Sequence, residues 1–319
     1  MKRAFLFPGQ ASQYPGMGRE LSEKHEVARK TFEAADRALG FSLSELCFRG
    51  PEDALKLTEN TQPAMLTCSV AFFRILESQG FLPDYVAGHS LGEYSALVAA
   101  GALSFEDAVR IVRQRGRYMQ EALPWGEGAM AAILGLRWEA VEELCRDAAD
   151  GGVVSPANIN SPEQIVIAGN DGAVGRAVEL AMRRGAKRAL LLPVSAPFHC
   201  SLMKPAQDRL ADDLLALSFS NPRFPLVNNV RAVEVHTGDQ ARAGLIAQVS
   251  APVLWEQSAR RLIALGVDTF VEVGPGRVLC GLLRQINRTL TVLNVEDEKS
   301  LAATREKLGG KVGAPLSGC

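Results

Sequence analysis

The sequence has almost no excess charge of either sign, because 35 lysine and arginine residues stand against 36 aspartate and glutamate residues. The net charge of -1 leaves no overall field that would gather nucleic acid or an anionic membrane. The chain also lacks an uncharged apolar run of roughly 18 residues or more, which a membrane span requires. Its first apolar stretch stops at Pro8, which is too early for a signal peptide. We therefore expect a soluble protein without nucleic-acid or membrane partners.

Cysteine is sparse, and the six residues form no C-x-x-C pair and no zinc-type Cys/His cluster. Disulfide frameworks are typical of small secreted domains, so a chain of 319 residues is expected to keep reduced thiols in the cytoplasm. The sequence also lacks the H-E-x-x-H and Walker A patterns. We expect neither a metal site nor a permanently bound cofactor. Cys200, next to His199, is interpreted as a core thiol rather than a nucleophile.

Short apolar runs alternate with longer helical patterns along most of the chain. Strand-like runs lie at 4–7, 84–88 and 269–274, and helical patterns lie at 20–39 and 64–80. Strands that are separated by helices favour a mostly parallel sheet. The sequence therefore predicts an α/β fold.

Residues 127–196 follow a different order, β-α-β-β-α-β, which is that of a ferredoxin-like unit. Its strands are predicted at 128–136, 153–159, 164–169 and 188–195, and its helices at 138–149 and 171–185. We predict a discontinuous α/β core of residues 1–126 and 197–299 that carries this unit as an insert. Residues 300–319, which end in a glycine-rich stretch, are predicted to form a flexible C-terminal tail.

Residues 88–92 read GHSLG, a G-x-S-x-G pattern between a strand-like run and a helical one. In a nucleophile elbow, two glycines allow a sharp turn that lifts the serine hydroxyl to the edge of the sheet. The helix that follows points backbone N–H groups at a developing oxyanion. Ser90 is therefore the candidate nucleophile, and the alternative is a polar residue in a tight turn.

A serine hydroxyl needs a base that takes its proton, and the sequence offers four histidines. His199 follows a strand that would end at the same edge as the elbow, so it is the best candidate. His25 and His236 are interpreted as surface residues and His89 as structural. His199 comes too early for the order of an α/β-hydrolase triad, and no acidic residue stands in an obvious orienting position. A dyad oriented by a carbonyl group fits better.

Four arginines of one predicted helix could bind a substrate carboxylate, because the planar guanidinium group matches a carboxylate with two hydrogen bonds. They are Arg110, Arg113, Arg115 and Arg117. Most helical arginines face solvent, and the spacing does not choose among the four.

Several segments together resemble the malonyl-CoA:acyl carrier protein transacylases of fatty acid and polyketide synthesis. The resemblance runs in order from residue 1 to about 295 and is highly specific. Its segments are FPGQASQYPGMG (7–18), TQPAM (61–65), GHSLGEYSAL (88–97), RGRYMQEA (115–122), GAMAAILG (128–135), NSPEQIVIAG (160–169), PVSAPFHC (193–200), QVSAPVLW from Gln248, and VEVGPG (271–276).

The resemblance implies a hydrolase-like α/β domain with a ferredoxin-like insert. It implies that Ser90 takes malonyl from malonyl-CoA as an ester and passes it to the phosphopantetheine thiol of acyl carrier protein, with His199 as base and then acid. The further roles that it implies are an oxyanion hole of the Gln10 and Leu91 backbone N–H groups, orientation of His199 by a Gln248 carbonyl oxygen, and binding of the malonyl carboxylate by Arg115.

Two specificity features also follow from the resemblance. Phe198 resembles the bulky residue of malonyl-selective members, whereas methylmalonyl-selective members tend to carry serine there. The carrier protein is acidic in this family, so a basic docking surface is expected. Its candidates are Arg183, Arg184, Lys187 and Arg188, and the alternative is a solvated helix end.

Three other functions remain as alternatives to supplying malonyl for fatty acid synthesis. The same residues would serve an acyltransferase of a polyketide pathway. They would also serve a serine thioesterase or hydrolase with water as the acceptor. A non-catalytic scaffold is disfavoured, because Ser90, His199, Arg115 and Gln10 are all present.

Overall fold

In the computed structural model, which describes residues 2–194 and 196–309, six strands form one mostly parallel sheet. They are β1 (Lys2–Phe7), β2 (Tyr85–Gly88), β7 (Leu226–Val227), β8 (Glu234–Val235), β9 (Val267–Val273) and β10 (Thr291–Val295). The spatial order is β10-β9-β1-β2-β7-β8, and among these strands only β8 pairs antiparallel. The predicted α/β class is confirmed.

Helices cover both faces of this sheet, as a parallel sheet requires. Along β1, Phe5 and Phe7 enter one apolar cluster, while Ala4 and Leu6 enter another on the opposite face. Within the described residues, no helix combines the length and the apolar character that a membrane crossing requires. The helices of this part are α1 (Arg19–Lys24), α2 (Glu26–Leu39), α3 (Leu43–Arg49), α4 (Glu52–Lys56), α5 (Thr58–Ser78), α6 (Leu91–Ala99), α7 (Phe105–Glu121), α10 (Lys204–Ala216), α11 (Gly238–Gln248), α12 (Trp255–Ala264), α13 (Val278–Ile286) and α14 (Glu298–Lys307).

The insert forms a second, antiparallel sheet with its own apolar core. Its elements are β3 (Gly128–Leu134), α8 (Trp138–Ala148), β4 (Val154–Ser161), β5 (Gln164–Asn170), α9 (Asp171–Arg183) and β6 (Arg188–Leu191). The spatial order β4-β5-β3-β6 places the first strand of the unit between the third and the fourth. The expected ferredoxin-like unit is therefore confirmed. The domain boundaries at 126/127 and 196/197 stay a prediction.

The predicted flexible tail is wrong for its first part, because α14 extends to Lys307. The helix starts with a capping box, in which Asp297 and Ser300 each bond the backbone N–H of the other. Leu301 and Thr304 are buried, so one face of the helix is anchored to the core. The rest of the predicted tail, from residue 310 onward, lies outside the described residues.

Candidate active site

Ser90 lies at the tip of a sharp turn between β2 and α6, with φ of 50° and ψ of -107°. The turn depends on two glycines. A Cβ atom on Gly88 would lie 1.9 Å from the carbonyl carbon of Gly92, and one on Gly92 would lie 1.9 Å from the carbonyl oxygen of Phe7. No side chain fits at either position, which is why strand, serine and helix can follow one another so closely. The result is the nucleophile-elbow geometry.

The hydroxyl group of Ser90 is hydrogen-bonded to a histidine. Ser90 Oγ lies 2.7 Å from His199 Nε2, and His199 Nδ1 lies 2.9 Å from the backbone oxygen of Gln248. A carbonyl oxygen only accepts, so Nδ1 carries the ring proton and Nε2 is left with a lone pair toward the serine. This tautomer suits His199 to remove the hydroxyl proton of Ser90.

His199 is kept in its neutral, basic form by its surroundings. Burial, together with the positive charge of Arg115 and with neighbouring His89, lowers the pKa of His199 from 6.5 to about 3, although its bond to the Gln248 carbonyl opposes the shift. The imidazole is therefore neutral at neutral pH, which leaves its Nε2 lone pair available to the Ser90 hydroxyl proton, and the low pKa makes it a good proton donor once it is charged.

Arg115 points from α7 into the same site and is 1 % exposed. Its Nη2 atom donates to Ser90 Oγ at 3.0 Å and to Gln248 Oε1 at 2.9 Å, and its Nη1 atom donates to Gln62 Oε1 at 2.9 Å. The guanidinium carbon also lies 5.5 Å from the ring centroid of Tyr94. A buried cation is thus placed directly beside the candidate nucleophile.

None of the other three arginines of α7 has a hydrogen bond to Ser90 within the described residues, although Arg117 lines a neighbouring cleft. Arg110 and Arg117 are exposed, and Arg113 is half-buried with its guanidinium carbon 4.5 Å from the centre of the Phe41 ring. Geometry therefore separates Arg115 from its neighbours, which spacing alone did not.

A buried polar network behind Ser90 contains residues that sequence reasoning missed. Asn229 Oδ1 accepts from the Ser90 backbone N–H at 2.7 Å, and Asn229 Nδ2 donates to the Gly88 backbone oxygen at 2.7 Å. Glu93 Oε2 accepts from Asn229 N at 3.0 Å and from Gln248 Nε2 at 2.9 Å. The network joins the elbow to Gln248.

Glu93 is a buried carboxyl group on α6, one turn after the serine. Burial raises its pKa to about 7, against the opposing effect of its bonds to Asn229 and Gln248 and of the Arg115 charge. One signal in the sequence could have found it: Glu93 is the single charge in the run LGEYSALVAAG at 91–101. Gln62 and Asn229 have no comparable signal.

Two backbone N–H groups are free to bind an oxyanion. Leu91 is the first residue of α6, where the helix leaves its N–H groups without intrahelical acceptors. Gln10 lies in the loop after β1, and its side chain donates to Thr58 Oγ1 at 3.4 Å. Among residues 2–194 and 196–309, neither backbone N–H donates to a protein acceptor.

Two clefts border the site, one at Gln10 and the other at His199. One has a volume of about 730 Å³, and its wall includes Gln10, Thr58, Gly128 and Val194, so it lies between the large domain and the insert. The other has a volume of about 590 Å³ and reaches His199 from the side of the insert. A long thioester and a second acceptor could both approach through openings of this size.

Phe198 immediately precedes His199 and is half-buried, packed against the main core and against a small cluster around Cys200. Cys200 itself is buried, and burial raises the pKa of its thiol to about 11, so it is not poised as a nucleophile.

The four basic residues proposed for docking lie on the insert, at the end of α9 and the start of β6. All four are exposed, but three of them face carboxylates: Arg183 bonds Glu179, Arg184 bonds Asp147, and Lys187 bonds Glu163. Arg188 is the one of the four that has no carboxylate partner within the described part of the chain. The local excess of positive charge is therefore smaller than the sequence suggested.

The remaining histidines lie outside the dyad. His89 is half-buried, with Nε2 2.9 Å from Asn160 Oδ1, and its ring packs on Trp255. His236 is exposed, and His25 starts α2 and pairs with Glu298.

The α/β fold with its antiparallel insert and the elbow serine bonded to a histidine place the chain in the class of acyl transferases. The acyl transferase domain family matches residues 4–314. The chain belongs to this family, and within it to the malonyl CoA-acyl carrier protein transacylases, as the resemblance of its motifs predicts.

Curated relatives and solved structures support this assignment over nearly the whole length. The malonyl CoA-acyl carrier protein transacylase of Escherichia coli K12 is 49 % identical over 304 residues, which cover 95 % of this chain and 98 % of the relative. The Bacillus subtilis enzyme of the same name is 49 % identical over 301 residues, covering 94 % and 95 %.

Two solved structures illustrate the similarity in three dimensions. The transacylase of Coxiella burnetii aligns with a TM-score of 0.95 and 45 % identity over 97 % of this chain and 98 % of its own. A malonyl-transacylase in complex with a type II PKS acyl-carrier protein aligns with a TM-score of 0.94 and 45 % identity, covering 96 % and 100 %.

Proposed function

We propose that this enzyme transfers malonyl from malonyl-CoA, through an ester on Ser90, to the phosphopantetheine thiol of acyl carrier protein. One observation carries the proposal: Ser90 Oγ is bonded at once to a base, His199 Nε2, and to a buried cation, Arg115 Nη2. The first contact activates a nucleophile, and the second places a carboxylate-binding group beside it. The names of the relatives, malonyl CoA-acyl carrier protein transacylases, support the same substrate and acceptor.

In the first half-reaction, His199 Nε2 takes the hydroxyl proton while Ser90 Oγ attacks the thioester carbonyl carbon. The carbonyl oxygen becomes an oxyanion, which accepts from the backbone N–H groups of Gln10 and Leu91. Collapse of this intermediate breaks the carbon–sulfur bond. The departing thiolate of coenzyme A takes the proton from His199, which leaves malonyl as an ester on Ser90.

In the second half-reaction, the phosphopantetheine thiol of the carrier protein gives its proton to His199, and the thiolate attacks the ester carbonyl. The same N–H groups hold the second oxyanion. Collapse breaks the bond to Ser90 Oγ, which regains its proton from His199. Coenzyme A leaves before the carrier protein reacts with the acyl-enzyme, so the kinetics are ping-pong.

Arg115 selects the acyl group in this scheme. A malonyl ester carries its carboxylate one methylene away from the ester carbonyl, so the carboxylate stays within a few bond lengths of Oγ, where the guanidinium lies. Acetyl lacks this group and gains nothing from Arg115. Phe198, next to His199, would limit branching at that methylene and so favour malonyl over methylmalonyl.

The carrier protein would dock on the insert, near Arg183, Arg184, Lys187 and Arg188. Support comes from their exposure and from Pro193 and Val194, which follow β6 directly in the chain and line the larger cleft. When an acidic carrier binds, its carboxylates could replace Glu179, Asp147 and Glu163 as the partners of three of these basic side chains. Arg188, which is not paired within the described residues, is expected to contribute most.

We place the reaction in the cytoplasm and in the supply of malonyl for fatty acid synthesis. The five cysteines that lie in the described residues are free and buried, which suits a reducing compartment. A polyketide carrier is the second candidate acceptor, because one similar structure holds a type II PKS carrier protein. Comparing kcat/KM for a fatty acid carrier and a polyketide carrier separates the two roles.

The transfer itself is tested with malonyl-CoA labelled in the acyl group. Transferase activity predicts that the label moves to holo carrier protein and that apo carrier, which lacks the thiol, receives none. Release of most of the label as free malonate in the presence of holo carrier would instead support a thioesterase. Ser90→Ala is the matched control and should transfer nothing.

A further inference from the structure

The position of Arg115 depends on two glutamine side chains. Its Nη1 and Nη2 atoms donate to Gln62 Oε1 and Gln248 Oε1, each at 2.9 Å. A carboxamide can be placed either way round, with its oxygen or its nitrogen forward, whereas a guanidinium only donates. Gln248 therefore contributes to holding Arg115 only if it presents its oxygen to the guanidinium.

The opposite end of the Gln248 side chain decides that orientation. Its Nε2 atom lies among three acceptors: Glu93 Oε2 at 2.9 Å, the Ser90 backbone oxygen at 3.0 Å and Asn229 Oδ1 at 3.2 Å. A reversed amide would set its oxygen against these three oxygens and its nitrogen against the guanidinium. Of the three acceptors, Glu93 is the ionisable one, and in its carboxylate form it accepts a charge-assisted hydrogen bond, which is about twice as strong as a neutral one.

Glu93 is an unusual group to bury at this point. One of its oxygens accepts from both Asn229 N and Gln248 Nε2, while the other, Oε1, has no partner among the described residues. A buried carboxylate without a direct cationic partner costs stability. Stability explains an acceptor at this position, because the buried Asn229 N–H needs one, but a neutral glutamine could accept the same bond at a lower cost of desolvation. Stability alone therefore does not require an acid here.

We infer that Glu93 is a positioning residue for acyl selectivity, acting through Gln248 to hold Arg115 beside Ser90. The inference rests on the proposed malonyl transfer. The dyad has its own support, because His199 is held by the main-chain oxygen of Gln248 and not by its side chain. Loss of the Glu93 contact therefore weakens the hold on a substrate carboxylate more than it weakens the attack by Ser90.

The test compares malonyl-CoA and acetyl-CoA as donors for Glu93→Gln. The carboxylate of Glu93 only accepts, so it fixes the Gln248 amide with its nitrogen toward Glu93. A glutamine at position 93 can donate as well as accept, so it no longer fixes this orientation, and its volume is nearly the same. We expect kcat/KM for malonyl-CoA to fall about tenfold, mainly through KM, and that for acetyl-CoA to change by less than about threefold. Rates are expressed per Ser90 site titrated with phenylmethanesulfonyl fluoride, which removes differences in folded fraction.

A double-mutant cycle with Arg115→Ala shows whether Glu93 acts through the arginine. In the Arg115→Ala background, Glu93→Gln should change malonyl transfer by less than about twofold. Glu93→Asp is the second variant. Its carboxylate is shorter and cannot reach Asn229 N and Gln248 Nε2 together, so we expect the same selective loss even if Glu93→Gln fails to fold.

Glu272 supplies the matched control, because it is the second buried glutamate whose pKa burial raises to about 7. Its carboxylate accepts from the backbone N–H groups of Leu279 and Cys280 at the start of α13. Glu272→Gln should alter malonyl and acetyl transfer by the same factor. A selective loss in Glu93→Gln alone supports the inference.

Two results overturn the inference while leaving malonyl transfer intact. One is an equal loss for both donors in the Glu93 variants, and the other is an undiminished loss in the Arg115→Ala background. Failure of the unsubstituted enzyme to transfer malonyl to holo carrier protein would overturn the proposed function instead.

Discussion

Arg115 Nη2 donates a hydrogen bond of 3.0 Å to Ser90 Oγ, so a fully buried guanidinium touches the atom that would carry the acyl group. In a hydrolase elbow the serine needs only a base and an oxyanion hole. Here a third group adjoins the hydroxyl, and its charge matches the carboxylate of a malonyl ester.

Arg115→Ala should reduce malonyl transfer far more than acetyl transfer. A hydrogen bond to a charged group contributes roughly 1.5 to 3 kcal/mol, which corresponds to a loss of about 10- to 150-fold in kcat/KM for malonyl-CoA. The ratio of the two kcat/KM values is the measurement. Arg110→Ala, on the same helix, exposed and outside the lining of both clefts, should leave the ratio unchanged. Equal losses for both donors would remove the role of Arg115.

The low pKa of His199 predicts that Ser90 stays reactive in mild acid. A histidine of pKa 6.5 would lose roughly 30-fold in its basic form at pH 5, whereas one of pKa about 3 would lose almost none. The rate of inactivation by phenylmethanesulfonyl fluoride measures the reactivity of Ser90 at each pH, and this reagent carries no carboxylate that would bind Arg115. The rate constant should fall less than about twofold between pH 7.5 and 5. A fall that tracks a pKa near 6.5 would contradict the account.

The same pKa shift makes the stability of the fold depend on pH, because the pKa of His199 is lower in the folded state than in the unfolded state. Unfolding then takes up a proton below about pH 6.5, so the His199 contribution is fully present above that pH and declines as the pH falls toward about 3. Inactivation rates are therefore compared only where activity at pH 7.5 is recovered after exposure to acid.

Gly92→Ala should destabilise the fold by about 3 kcal/mol or more, because the new methyl group would overlap the Phe7 backbone oxygen. Gly175→Ala is the matched control: it lies within α9 with open space around it, and should stabilise by about 0.5 to 1 kcal/mol. Urea unfolding measures both. A Gly92→Ala variant as stable as the unsubstituted protein would show that the elbow is less constrained than described.

Charge reversal at Lys187 and Arg188 should raise KM for carrier protein and leave KM for malonyl-CoA unchanged. Lys187→Glu also breaks the pair with Glu163, so Arg188→Glu gives the clearer result. Arg260→Glu, on α12 outside the insert, reverses a similar exposed charge and should have no effect on carrier kinetics. Unchanged carrier kinetics in the Lys187 and Arg188 variants would place the docking surface elsewhere.

The general architecture was predictable because its signals are local. The spacing of apolar residues and the turn residues between the runs predicted the β-α-β-β-α-β insert, and the two glycines of GHSLG predicted the turn at Ser90. The boundaries of the tail were less accessible. The capping box of Asp297 and Ser300 starts a helix just before the predicted tail, and the helix runs into it as far as Lys307.

The buried polar network behind Ser90 was not predictable in the same way, because its contacts join residues that are far apart in the chain. Asn229 meets Ser90, and Gln62 meets Arg115, through the packing of separate elements. Arg115 itself had a usable signal. It continues the apolar stripe of α7, which includes Ala108, Val112 and Met119 at helical spacing, whereas the other three arginines lie off that stripe.

Mass spectrometry of the acyl-enzyme tests the central claim most directly. After brief incubation with malonyl-CoA and without carrier protein, the peptide that contains Ser90 should carry one malonyl group. Holo carrier protein should then remove that group and become malonylated. A malonyl label on Ser90→Ala, or a Ser90 ester that holo carrier protein fails to discharge, would contradict the account.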